Sequence, residues 1–258
     1  MKENYTKEII NSYFLKYIND ENTIAILITG SCGRDENDYL SDIDWVRIVK
    51  KNEGLSGFKE EYGNILFDCR CEEYNDIAKN EWYMDQYYAY LNCKIYYDKN
   101  DAFSNLLTIK KEDWKEYIKK LIAIKLVECS VYLKFPKNNL ELYVPTTHYE
   151  RFILRNDLDS AYNCLKIINL QLIDLCYLCN NQPIPDDKNK FRNMKKYDFS
   201  HLLSKLVVIP CNKNVNSMNE VYQQYMKILQ DILICYREKI NFSESAKKYY
   251  YKYRGTVR

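Results

Sequence analysis

Ile28-Thr29-Gly30-Ser31-Cys32-Gly33-Arg34, followed by Leu40-Ser41-Asp42-Ile43-Asp44-Trp45-Val46, is the stretch whose reading decides the fold. The run Thr23 to Thr29 is short, apolar and β-branched, which predicts a buried strand that ends at Gly30-Ser31. Asp42 to Val49 predicts a second strand. Side chains two apart in a strand share a face, so Asp42 and Asp44 project side by side. Two carboxylates held that close repel and are hard to keep ionised without a cation. A third acid stands in Ile65-Leu66-Phe67-Asp68-Cys69, inside a predicted third strand from Gly63 to Cys71.

Hard oxygen ligands of this kind favour magnesium, which shares its ligands with substrate phosphates. Two such ions about 3.5–4 Å apart activate a hydroxyl and stabilise a leaving pyrophosphate. Gly30 lets the backbone approach a phosphate closely. The Ser31 hydroxyl and the amides opening the next turn suit phosphate oxygens, and Ser41 can cap the turn before Asp42. Each part alone is common. Gly-Ser occurs in many turns, Asp-x-Asp on many surfaces, and a lone Asp68 reads as a salt-bridged strand residue, paired with Arg70. Together, with eleven residues from Ser31 to Asp42, they read as a site for two divalent ions and a nucleoside triphosphate.

Outward from this block, residues 4–19 predict a helix, with Ile9, Ile10, Tyr13, Phe14 and Tyr17 at three-and-four spacing. Lys51–Gly57 is rich in turn formers, 74–91 predicts a helix, and Lys94 to Tyr97 a further strand. After about residue 109 helical patterns dominate, at roughly 111–135, 148–180, 216–240 and 243–252, punctuated by Pro136, Pro145, Pro183 and Pro185. The expected organisation is an α/β domain over 1–109 and a helical domain over 110–258.

The chain has 258 residues, 47% of them apolar, enough for a sizeable core. No apolar run reaches the roughly 18 residues of a membrane span, and the start lacks a signal peptide's apolar stretch, so a cytoplasmic protein is expected. The ten cysteines are scattered, many in apolar surroundings, and read as small hydrophobes. Cys176 and Cys179 form a CxxC without the further ligands that zinc needs. His148 and His201 fall in no motif. Residues 1–109 carry 12 Lys+Arg against 20 Asp+Glu, and 110–258 carry 26 against 16. Such asymmetry fits a nucleic-acid surface, two lobes around a polyanion, or solvated faces of unequal sign.

The Gly30-Ser31…Asp42-Ile43-Asp44 block, with Asp68, resembles the signature of the nucleotidyltransferase superfamily that includes DNA polymerase beta. Lys94-Ile95-Tyr96-Tyr97-Asp98 is similar to the strand closing the fold in its small antibiotic-modifying members, which act on aminoglycosides or lincosamides. Asn181, Pro185 and Lys188 resemble a loosely shared stretch of their helical domains. The resemblance implies an α+β fold, an N-terminal α/β lobe with a mixed sheet followed by a C-terminal helical bundle. It implies transfer of a nucleoside monophosphate, most often AMP from ATP, onto a hydroxyl, with pyrophosphate leaving. Asp42 and Asp44 would then bind two magnesium ions and Asp68 the catalytic one. Gly30 and Ser31 would hold the triphosphate, with Lys188 a candidate partner. Some relatives build the site across a dimer, so monomer and homodimer both stay open.

Two features bear on the acceptor. Glu72, Glu73, Asp76, Glu81 and Asp85 crowd one stretch containing a single lysine, Lys79, and an acidic rim attracts a polycation such as an aminoglycoside. Trp82, Tyr83, Tyr87 and Tyr88 would add surfaces for stacking on sugar rings; the alternative is an ordinary solvated helix with an aromatic inner face. The stretch Leu121–Leu133 is apolar almost all round and reads as buried. Lys125 and Glu128 interrupt it, and either pair with each other or leave Glu128 as the general base for the acceptor hydroxyl. Asp157 reads as a helix cap. The rival readings are a tRNA or other nucleic-acid nucleotidyltransferase, favoured by the basic and aromatic tail Lys247–Arg254, and an antitoxin-like member that binds a protein. The acidic stretch disfavours nucleic acid, and the intact carboxylates disfavour the antitoxin.

Overall fold

The computed structural model describes residues 2–37, 41–52, 54, 57–135, 144–194 and 212–235. The expected helix at 243–252, the basic tail, His201 and Pro136 lie outside them. The architecture is α+β, with a mixed five-stranded sheet preceding a run that is wholly helical among the described residues. The chain divides into two compact units, Met1–Trp114 and Lys115–Arg258.

The first unit opens with helix α1 (Lys2–Ile18). Strands β1 (Thr23–Ile28), β2 (Ile43–Val49), β3 (Phe58–Tyr62), β4 (Ile65–Glu73) and β5 (Lys94–Asp98) follow. Their order across the sheet is β3-β4-β2-β1-β5. β2 and β4 run parallel, and the other neighbours antiparallel. α1 uses its periodic apolar side chains as predicted: Tyr13 and Phe14 are buried in one cluster with Ile26, Ile28, Ile43, Trp45, Phe67 and Cys69. Tyr13 stacks on Phe67 at 3.7 Å between centroids, and Phe14 meets Trp45 at 4.9 Å.

This cluster sets the facing of every strand. Ile43 and Trp45 of β2 and Phe67 and Cys69 of β4 turn toward α1, so Asp44 and Asp68, one residue out of phase, turn to the opposite face. β3 obeys the same rule. Phe58 packs toward α1, where Glu60 accepts from Tyr13 Oη at 3.1 Å and pairs with Lys16 at 2.9 Å, which leaves Lys59 on the carboxylate face.

Three differences from the sequence reading have local causes. β3 stands between the turn-rich stretch 51–57 and the predicted third strand, where no element was expected. The turn itself is Gly63-Asn64, both at positive φ, between the paired residues Tyr62 and Ile65. That is a two-residue hairpin loop of the primed kind, whose twist suits antiparallel strands. The predicted helix at 74–91 is two, α3 (Tyr74–Lys79) and α4 (Met84–Leu91), with α4 opened by a capping box between Tyr83 and Gln86. The third concerns the aromatic residues expected to face a ligand. Trp82, Tyr87 and Tyr88 are instead buried, Trp82 donating to the Ile77 carbonyl at 2.8 Å and meeting Tyr90 edge-on, while Tyr83 is 75% exposed. An inner aromatic face gains more from burial than from solvent. Asp98, at the end of β5, accepts from the amides of Phe103 and Ser104 and so starts helix α5 (Ala102–Tyr132), which runs on past the division between the units.

The second unit continues with α6 (His148–Leu154), α7 (Leu158–Cys179), α8 (Asp187–Met194) and α9 (Val215–Cys235). The predicted helix at 148–180 breaks at Asn156, which has φ +56°, and Asp157 caps α7 by accepting from Ser160 N at 3.1 Å. Tyr149 of α6 stacks on Tyr222 of α9 at 4.2 Å, and Tyr222 Oη lies 3.2 Å from Thr147 Oγ1. Cys176 and Cys179 are buried thiols of α7. Among the described residues no helix is long and apolar enough to cross a membrane.

Phe14→Ala removes a ring at the centre of the sheet cluster and is expected to cost about 3–5 kcal/mol in chemical denaturation. A second expectation concerns acid. Asp20 accepts from Asn22 N at 2.8 Å and pairs with the buried Arg47 at 2.5 Å. The amide first, and the guanidinium second, hold its pKa below the ordinary 3.8. A lowered folded-state pKa means stabilisation that is complete above the ordinary value and is lost as pH falls through the folded one. Asp20→Asn is therefore expected to lose less stability than wild type on going from about pH 5 to pH 2 in denaturant titrations.

Candidate active site

The site grows from the ends of three strands. β1 ends at Ile28, and the Thr29 amide donates to the Asp44 carbonyl at 2.8 Å, tying the exit of β1 to the start of β2. In the parallel β2–β4 pair Asp44 lies directly opposite Asp68. Asp42 sits one residue ahead of β2, two before Asp44. One carboxylate oxygen from each of Asp42, Asp44 and Asp68 lies within 4.8 Å of the others, and all three residues are half-buried.

Gly30 opens a single helical turn, α2 (Gly30–Gly33), with φ +58°. A Cβ placed there would fall 2.0 Å from Asp44 Oδ2, so both the backbone angle and the space require glycine. Gly33 is equally confined, since a Cβ there would meet the Ile28 carbonyl oxygen at 2.6 Å. Ser31 stands on this turn, half-exposed, and Cys32 Sγ donates to the Asp42 carbonyl at 3.4 Å. Burial, foremost, raises the Cys32 thiol's pKa. Arg34 pairs with Glu36 at 3.0 Å and lies over the Tyr88 ring at 5.0 Å.

Lys59 is the functional-site neighbour that sequence reasoning missed. It faces Asp68 across the β3–β4 pairing, and its ammonium lies 2.7 Å from Asp68 Oδ2. The hydrogen bond to Asp68, and then the charges of Asp68, Asp42 and Asp44, hold its pKa above the ordinary lysine value. The alternative reading of a lone Asp68 paired it with Arg70, but its salt bridge is to Lys59, and Arg70 is exposed on β4. The signal was present in Gly63-Asn64: counting back and forward equally from that two-residue turn puts Lys59 opposite Asp68.

None of the other expected residues belongs to this carboxylate group. Glu72 and Glu73 end β4, four and five residues beyond Asp68, so about 13–16 Å along the strand. Glu72 lies 3.5 Å from Gln86 Nε2, and Glu73 accepts from Asn52 N at 3.0 Å. Asp76, Glu81 and Asp85 are exposed on α3, before α4 and on α4. In the second unit Lys125 pairs with Glu128 at 3.0 Å and with Asp174 of α7 at 3.2 Å, and Lys190 of α8 pairs with Asp174 at 2.9 Å. Burial pulls the Lys125 pKa down, but Asp174 and Glu128 outweigh it and hold it above the ordinary value. Lys188 is largely exposed on α8, 3.9 Å from Asp186, whereas Lys190 is the buried lysine of that helix. His148 meets Tyr132 and Phe152 edge-on and lines, with them and Asn163, a cavity of about 440 Å³ in the second unit.

No protein-family model matches the chain. No curated protein matches it. Among solved structures it is similar to a nucleotidyltransferase-like protein from Exiguobacterium sibiricum 255-15, with 11% identity and a TM-score of 0.46, over 91% of this chain and 77% of that one. A likeness that distant carries no residue role or activity across.

Gly30→Ala is expected to destabilise the protein by at least about 1 kcal/mol from the backbone angle alone, read by chemical denaturation. The clash with Asp44 adds to it, so a neutral result would contradict the close approach described here.

Proposed function

We propose that this protein is a magnesium-dependent nucleotidyltransferase that moves a nucleoside monophosphate, AMP from ATP, onto a hydroxyl of a small molecule. The observation that carries the reading is the meeting of Asp42, Asp44 and Asp68 within 4.8 Å beside a glycine that only glycine can be. Their donor atoms are hard oxygens, half-exposed, and close enough to share ions that bind oxygen at about 2.0–2.1 Å, so the residues fit the group. Bound magnesium supplies Lewis acidity and charge neutralisation at the phosphates.

The chain's own groups do the rest. Asp42, Asp44 and Asp68 would hold the cations. Gly30 admits the triphosphate to the backbone, and Ser31 with the amides of its turn holds phosphate oxygens. The acceptor oxygen bonds to the α-phosphorus, the bond from that phosphorus to the bridging oxygen breaks, and pyrophosphate leaves. Glu128 is proposed on sequence grounds to take the hydroxyl's proton, a role that requires it to leave its partner Lys125.

For the acceptor, the crowd of Glu72, Glu73, Asp76, Glu81 and Asp85 supports a polycation, and an aminoglycoside leads. Since Trp82, Tyr87 and Tyr88 are buried, that preference rests on charge and not on stacking.

The test is magnesium-dependent pyrophosphate release from ATP with aminoglycosides and lincosamides as acceptors. Release that requires one drug class names the acceptor class, and ATP binding without drug-dependent release sinks the antibiotic assignment. Asp44→Asn is expected to lower turnover by more than about 100-fold, the upper range for ligand-supporting residues, with the thermal midpoint retained. Full turnover in that variant would remove Asp44 from the site.

A further inference from the structure

The Lys59 ammonium stands 2.7 Å from Asp68 Oδ2, held there by the hairpin register rather than by burial, for its side chain is 64% exposed. Its backbone is fixed from the other face, where Phe58 packs toward α1 and Glu60 binds Tyr13 and Lys16. The side chain can therefore leave Asp68 without moving the strand.

Charge makes that position consequential. Asp42, Asp44 and Asp68 bring three negative charges within 4.8 Å, and Lys59 returns one positive charge. The four groups sum to −2, the charge that a single divalent cation neutralises. A second divalent ion on Asp68 would sit about 2.1 Å from an oxygen that already holds an ammonium, so two cations would compete for one carboxylate. A nucleoside triphosphate changes this balance, since its own negative charge accompanies the second ion.

We propose that Lys59 is a built-in counter-ion of the carboxylate site: in the free protein it occupies Asp68 and limits the site to one divalent cation, and it yields Asp68 when a nucleoside triphosphate brings the second. The inference rests on the nucleotidyl-transfer reading of this site. It makes Lys59 a positioning residue that orders metal loading, and it accounts for an ammonium placed on a carboxylate that the reading needs for metal.

The test is manganese binding to the full chain, followed by the electron paramagnetic resonance signal of free Mn²⁺, with no turnover required. Wild type is expected to bind one ion without nucleotide and two with a non-hydrolysable ATP analogue. Lys59→Met is expected to bind manganese about fivefold more tightly without nucleotide, the scale of an exposed ion pair, and to take a second ion. Lys59→Arg, which keeps the charge, is expected to behave as wild type. Equal affinity and stoichiometry in wild type and Lys59→Met, both with unchanged thermal midpoints, would overturn the counter-ion role while leaving the metal site in place. Manganese binding that is absent from wild type, or equally present in Asp44→Asn, would overturn the metal site itself and the proposal with it.

Discussion

The parallel register between β2 and β4 is the constraint on which the site depends. It places Asp44 opposite Asp68, and it is enforced from the other face of the sheet. Trp45, Ile43, Phe67 and Cys69 enclose the rings of Tyr13 and Phe14, and a slip of one residue would turn this aromatic cluster to the carboxylate face and the carboxylates into the cluster. Either change buries charge without a partner and exposes large rings. The hydrophobic side of the sheet thus holds the polar side in place without touching it.

Gathering three carboxylates is unfavourable by itself, and the local structure shows how that is tolerated. Asp42 lies outside the strand ladder, the residues stay half-exposed to water, and Lys59 supplies a compensating charge from the edge strand. Gly30 presses against Asp44 from the end of β1 and leaves no room for a side chain.

The second unit solves a different problem. α7 is buried all round from Leu172 to Cys179, yet it carries Asp174 among these apolar residues. Lys125 of α5 and Lys190 of α8 both reach that carboxylate, and Lys125 also holds Glu128. A buried ionic group with fixed partners is weak as a source of stability and useful as a registry device. Here it ties three helices at one level, while the Tyr149–Tyr222 stack and the Thr147 hydroxyl tie α6 to α9.

Local pattern was enough for the strands that build the site, because Thr23–Ile28 is an apolar run, Ile43–Val49 is apolar but for Asp44 and Arg47, and Ile65–Glu73 alternates through Phe67, Cys69 and Cys71, and period two assigns their faces. It was also enough for α1, whose apolar stripe has one interpretation. β3 was hidden because Lys59, Glu60 and Glu61 give an edge strand no hydrophobic alternation. Only pairing through the Gly63-Asn64 turn makes it a strand. The aromatic residues of 82–88 look the same in sequence whether they face a ligand or a core, and packing against Ile77, Tyr90 and Trp114 decides for the core. Sequence by itself determined which residues carry charge and in what phase, since side-chain direction along a strand follows from backbone geometry alone. Tertiary structure decided which charges meet, placing Lys59 and not Arg70 on Asp68 and joining Lys125 to Asp174, because those distances are set by strand order and helix packing between residues far apart in the chain.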